Sequence, residues 1–183
     1  DLAHWLRDWD CRTIVEVGVE RAQYTHILGT ANPQATVYGV DAWRAYPDYR
    51  EHVSQDKLDA FYAEAEEYLI GLSHCRLVRQ FSVDAAATFA PHSIDAVYLD
   101  ANHTLPSVIA DLHAWLPTIR PGGIMAGHDF LQRKDNGYHV HVVEALQAWT
   151  QAYHIHPWFV LGTKAIVPGK VRERPRSWLW VVS

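Results

Sequence analysis

The sequence predicts an α/β fold on a mostly parallel sheet, and three observations carry that prediction. β-branched apolar runs alternate with amphipathic helical runs along the chain. Two acids, Asp100 in IDAVYLDANHT and Asp129 in PGGIMAGHDF, each close a predicted strand, with a helical run between them. Such a crossover is parallel and places both strand ends on one edge of the sheet, with neighbouring strands ~4.8 Å apart. The last two strands are joined by GTKAIVPGKVRERPR, which is rich in Pro, Gly and charge and lacks helical periodicity. A parallel crossover normally needs a helix, so that closing pair is expected to be antiparallel.

In chain order, Leu2, Trp5, Leu6 and Trp9 share a helical face. Thr13–Val17 reads as a short buried strand ending at Gly18, followed by a helix over RAQYTHILG with a stop at Gly29. Val37–Val40 is the second strand and ends at Asp41. Leu58, Phe61, Ala65 and Leu69 mark a helix inside the polar stretch from Tyr49 to Leu72. CRLVRQ is the third strand, Asp84–Phe89 a short helix, and IDAVYLD the fourth strand. The next helix buries Val108, Leu112, Trp115 and Ile119, and Pro121, Gly122 and Gly123 turn the chain into a fifth strand, GIMAG. A polar loop, LQRKDNG, follows and is placed to move over a site. Val140–Ala152 reads as helix, and WFVL (Trp158–Leu161) and WLWVV (Trp178–Val182) are the closing strands. No repeat or linker divides the chain, so residues 1–183 are read as a single domain.

Composition narrows the function classes. With 183 residues, 49% hydrophobic and 20% charged, the chain can bury a full core. A net charge of -5 argues against a nucleic-acid partner. No apolar run approaches the ~20 residues of a membrane span, so no membrane partner is expected. Cys11 and Cys75 are isolated, which points to a reducing, cytoplasmic compartment. The chain begins at Asp1 rather than Met, which leaves open a trimmed leader. A homo-oligomer is equally open.

The strand ends suggest a nucleotide-like ligand. Glu16 and Gly18 close the first strand just before a helix N-terminus, where Gly18 lets a ligand approach the backbone. Asp41 ends the second strand at the offset where α/β folds place an acid on ribose hydroxyls. Trp43 is a candidate for stacking on a base, although Trp on a short turn is more often core. Only one glycine occupies the loop where a dinucleotide site would show three.

VEVGVERAQYT, VYGVDAW and IDAVYLDANHTLPSVIADLHAWLPTIRPGGIMAGHDF, with the closing antiparallel strands, resemble a class I S-adenosylmethionine-dependent methyltransferase. The branch they resemble is the methyltransferase domain 24 group, related to macrocin O-methyltransferases and cephalosporin hydroxylase-like proteins. The resemblance implies a doubly wound, seven-stranded sheet with an antiparallel last strand. It implies that Glu16 and Gly18 border the methionine end of the cofactor, that Asp41 holds the ribose hydroxyls, and that Ala42 and Trp43 lie beside the adenine. Ser82 falls at its adenine edge, and Asp100 is shared between cofactor and metal or substrate. Metal-dependent relatives bind a divalent cation with the acid at Asp100 and an acidic pair matched here by His128 and Asp129. Three departures stand out: Ala22 in place of a second glycine, His128 in place of an acid, and Phe130 in place of Asn.

Methyl transfer is an in-line displacement at a sulfonium, and an acceptor hydroxyl or amine must also lose a proton. Asp100, His103 and His128 are the catalytic candidates, the histidines as general base. Alternatively, Asp100, His128 and Asp129 are the candidate ligands of Mg²⁺ or Mn²⁺, with His103 as the alternative to His128, and the ion would bind the acceptor hydroxyl. The leading expectation is O-methylation of a small-molecule hydroxyl. Two other readings are an NAD(P)-dependent oxidoreductase, disfavoured by the missing glycines, and a non-catalytic cofactor-binding module.

Overall fold

The computed structural model describes residues 2–46, 54–131, 133–135, 138–162 and 175–183. An N-terminal helix α1 (Leu2–Asp8) precedes β1 (Thr13–Val17), α2 (Gln23–Ala31), β2 (Thr36–Asp41), α3 (Gln55–Tyr68) and β3 (Cys75–Arg79). Next come α4 (Ser82–Ala86), β4 (Ile94–Leu99), α5 (Leu105–Trp115) and β5 (Ile119–Gly127). A short pair, β6 (Arg133–Asp135) and β7 (Tyr138–Val140), leads into α6 (Val142–Ala152), β8 (Trp158–Val160) and β9 (Trp178–Val181).

The main sheet has seven strands in the order β3-β2-β1-β4-β5-β9-β8. β1 to β5 pair in parallel, whereas β9 is antiparallel to both β5 and β8. Strands buried on both faces explain the near-continuous apolar runs. Val15, Val17, Val40 and Val97 feed the core under α4, α5 and α6, while Ile14, Val37 and Ala96 feed the opposite core under α1 and α2. Trp115, Trp149 and Trp178 are buried, as their periodicity predicts. Among the described residues, no helix is long and apolar enough to cross a membrane.

Several local expectations give way. Gly29 does not stop α2 but lies inside it, because a Cβ there would sit 2.3 Å from Cys75 Sγ. The short helix begins at Ser82 rather than Asp84. β5 starts at Ile119 instead of Gly123, with the register irregularity against β4 absorbing the Pro-Gly-Gly stretch. The polar segment after Asp129 carries the β6–β7 pairing, and α6 consequently begins at Val142. The part of the polar stretch from Tyr49 to Leu72 that precedes Ser54 falls outside the described residues.

Candidate active site

The C-terminal edge of the parallel strands carries the acids that the crossover argument placed there. Asp41 leaves β2 with both carboxylate oxygens anchored to backbone. Oδ2 accepts from the N–H groups of Val19 and Glu20, each at 3.1 Å, and Oδ1 accepts from Trp43 N–H at 2.8 Å. The loop after β1 therefore folds around this carboxylate. Glu20, Ala22 and Trp43 all adopt positive φ there, a conformation that costs non-glycine residues energy and clusters at functional sites. Ala22, at φ 60, stands where glycine would be unstrained. Gly18 has a different reason to be glycine than ligand approach. A Cβ on it would lie 2.2 Å from the Asp100 carbonyl oxygen, so its bareness lets the loop after β4 close against β1.

Beyond β4 and β5, four side chains converge. His103 Nε2 donates to Asp129 Oδ2 at 2.7 Å and stands 3.5 Å from Asp100 Oδ1. His128 Nδ1 stands 3.7 Å from Asp100 Oδ2 and 3.9 Å from Asp129 Oδ2. Asp129 holds φ 52 to aim inward. Burial works against its ionisation, but the hydrogen bond and charge of His103, with His128 nearby, outweigh it and hold the carboxyl below the usual range. Donor atoms of Asp100, His103 and Asp129 all lie within 4.8 Å of one another. His128, expected among the metal ligands, flanks this trio rather than completing it. Of the two histidines that the sequence offered as a third ligand, His103 is the one grouped with the two acids.

A cavity of about 650 Å³ opens beside the cluster. Glu16, Gly18, Asp41, Ala42, Trp43, Ser82, Asp100 and His103 all line it, whereas His128 faces a much smaller void behind it. Glu16 is 2% exposed and accepts a hydrogen bond from Thr25 Oγ1, and burial pushes its carboxyl up to about 8. Trp43 is only 1% exposed, with its indole N–H on the Glu20 carbonyl and its ring edge-on to Tyr62. It is core that forms a wall, rather than an open stacking platform. The Ser82 hydroxyl is engaged by Asp111 and Trp115.

Among the lining residues that the sequence reading did not single out are Asp111, Tyr46 and Asn102. Tyr46 OH accepts from Asn102 Nδ2 at 3.0 Å, linking the loop after β2 to the loop after β4. Nothing local in the sequence marks that long-range contact. Asp111 did leave a signal, since it is spaced three and four residues from Val108 and Trp115, on the face that the helix buries.

This topology and this edge define a methyltransferase of the class I, Rossmann-like type. A family model described as a methyltransferase domain matches residues 15–130, and the chain belongs to that family of S-adenosylmethionine-dependent methyltransferases. Among solved structures, the chain is similar to an O-methyltransferase from Bacillus cereus in complex with S-adenosylhomocysteine. There the TM-score is 0.68 and the identity 13%, over 100% of this chain and 79% of the other. TomG from Streptomyces achromogenes, an O-methyltransferase involved in tomaymycin synthesis and solved with S-adenosylmethionine, superposes with a TM-score of 0.65. Its identity is 17%, over 100% of this chain and 78% of the other. A Streptococcus mutans protein described as a methyltransferase, in complex with S-adenosylhomocysteine, gives 0.65 at 10% identity, over 97% and 94%. At these identities the likeness is one of fold. Comparison with curated proteins returns no match.

Proposed function

We propose that this protein moves the methyl group of S-adenosylmethionine to a hydroxyl oxygen of a small molecule, and that the Asp100–His103–Asp129 cluster receives the acceptor at the mouth of the cavity. The observation that carries this reading is the convergence of an imidazole and two carboxylates beside a cavity of about 650 Å³. Asp41 accepts the ribose hydroxyls, and buried Glu16 faces the cationic methionine end. The sulfonium then points towards the cluster, where in-line attack requires the acceptor oxygen to lose its proton. Asp129, held ionised, accepts from His103 Nε2 and selects the tautomer in which Nδ1 is basic. His103 acts as the general base, and Asp129 stabilises the imidazolium that forms. The O-methyltransferases among the structural neighbours support an oxygen acceptor.

The same donors suit a divalent cation. His103 Nε2 lies 2.7 Å from Asp129 Oδ2 and 3.5 Å from Asp100 Oδ1, close to the ~3 Å separations of adjacent ligands around an octahedral ion with ~2.1 Å bonds. Held by Asp100, His103 and Asp129, such an ion would supply positive charge that lowers the pKa of an acceptor hydroxyl. Release of S-adenosylhomocysteine from S-adenosylmethionine is to be followed across a panel of phenols, sugars and polyketides, with EDTA and then with added Mg²⁺ or Mn²⁺. Full turnover in excess EDTA assigns proton removal to His103. Loss in EDTA with restoration by the metal assigns activation to the cation. Failure of S-adenosylhomocysteine to bind a folded protein overturns the cofactor reading itself.

A further inference from the structure

We infer that Tyr46 sets the rate at which the cofactor passes in and out: its hydrogen bond to Asn102 bridges the cavity over the end of β1 and must open each time S-adenosylmethionine enters or S-adenosylhomocysteine leaves. The inference rests on the reading that the cavity takes this cofactor.

The sheet order gives the span. β1 lies between β2 and β4, so the loops that follow those two strands start ~10 Å apart. Tyr46 belongs to the loop after β2 and Asn102 to the loop after β4, yet Asn102 Nδ2 donates to Tyr46 Oη at 3.0 Å. The phenol ring also stands edge-on to Phe81, in the loop after β3, with centroids 5.7 Å apart at 77°. Tyr46, Phe81 and Asn102 all line the cavity, as do Gly18, Val19 and Glu20 of the loop after β1. One side chain thus ties the loops after β2, β3 and β4 together across the loop that β1 feeds.

The two supports of this bridge are anchored independently of it. Gln55 clamps the loop after β2: its Oε1 accepts from Ala45 N–H at 3.0 Å, and its Nε2 donates to the Trp43 carbonyl at 2.9 Å. Arg79 donates to the same carbonyl at 3.1 Å. On the far side, Asn102 Oδ1 accepts the Thr104 N–H at 3.0 Å, which turns the amide so that its amino group faces Tyr46. With both backbones held, the element left to swing is the Tyr46 side chain, and the contact it must break to clear the cavity is the bond to Asn102.

A bridge of this kind leaves a kinetic signature. A protein–protein bond that is closed before the ligand enters and closed again once it is inside cancels from the dissociation constant. Its breakage remains in the barrier to passage in each direction. A tie that served only to stabilise the fold would leave both rates alone. A direct contact to the cofactor would slow exit without slowing entry.

Stopped-flow tryptophan fluorescence with S-adenosylhomocysteine measures the two rates, with Trp43 in the cavity wall as reporter. Calorimetry gives the dissociation constant. Tyr46→Phe keeps the ring and deletes the oxygen, and Asn102→Ser keeps an oxygen near Thr104 but loses the reach to Tyr46. Each variant should raise entry and exit alike by about five-fold, the loss of one neutral hydrogen bond, and leave the dissociation constant within about two-fold of wild type. The double variant should be no faster than either single one, because both remove the same bond. Wild-type rates in both single variants, or effects that multiply in the double variant, overturn the proposal. A weaker dissociation constant with unchanged entry also overturns it, since Tyr46 would then be a contact of the cofactor and not a bridge over it. Failure of folded wild type to bind S-adenosylhomocysteine overturns the underlying cofactor reading instead.

Discussion

The two edges of the parallel sheet each carry partly buried acid, and they treat it in opposite ways. At the N-terminal edge, Asp95 Oδ2 accepts from the backbone N–H groups of Arg12 and Thr13, both at 2.7 Å, while Oδ1 meets Arg120 Nε at 2.5 Å. Burial alone would raise its carboxyl, but the Arg120 guanidinium and the two amides hold it low. This acid is matched by a permanent cation and ties β1, β4 and β5 together. At the C-terminal edge, the side-chain partners of Asp100 and Asp129 are imidazoles, whose charge changes near neutral pH. Glu16, behind them, is buried with a hydroxyl partner rather than a cation. A fixed counter-charge makes an acid a structural clamp, and a titratable neighbour makes it available for chemistry.

Breaking the chemical side should give the largest effect. Asp129→Asn keeps the side-chain shape but removes the charge that steadies protonated His103, so turnover should fall by ~100-fold or more. Affinity for S-adenosylhomocysteine should stay within about three-fold, since Asp129 does not line the cofactor cavity. A variant with wild-type turnover would place the proton transfer elsewhere.

The mirror experiment is Asp95→Ala, expected to cost ~2–3 kcal/mol in denaturant unfolding while leaving cofactor affinity unchanged. Two backbone amides and Arg120 lose their acceptor at once. An unchanged midpoint would show that water takes over the clamp.

Glu16→Gln sharpens the contrast through pH. The Glu16 carboxyl is raised from 4.5 to about 8 by burial, so the native state favours its protonated form. The stability this contributes is full below pH ~4.5 and is lost as pH rises through about 8. Wild type should therefore lose stability across that window. The neutral isostere should show a flatter profile and be more stable at pH 8 by ~1–3 kcal/mol. Parallel pH profiles would mean that Glu16 is already ionised in the native state.

The architecture was legible because alternation, apolar runs and the composition of the last connection are local signals. The antiparallel β8–β9 pair followed from a linker unable to form a crossover helix. Asp41, Asp100 and Asp129 were legible because a strand end is a position on the sheet as well as in the chain. What resisted reading depends on distant partners. Gly29 looked like a helix stop because Cys75, which demands its bareness, lies far along the chain. The sequence left His128 and His103 as alternatives beside Asp100 and Asp129, because the direction of an imidazole on a loop follows loop geometry and not spacing. Asp111 was passed over since an acid on an apolar helix face makes sense only once Ser82 stands opposite it.

The central claim is that the C-terminal edge is built to hold S-adenosylmethionine, and the dissociation constant of S-adenosylhomocysteine for Asp41→Ala tests it most directly. Asp41 accepts two backbone N–H bonds from the loop after β1 and one from Trp43, and on the proposed function it accepts the ribose hydroxyls. Calorimetry should show binding weakened by ~1–3 kcal/mol relative to wild type, with the protein still folded. An unchanged dissociation constant would contradict the account, because the acid at the end of β2 would then not be holding the cofactor.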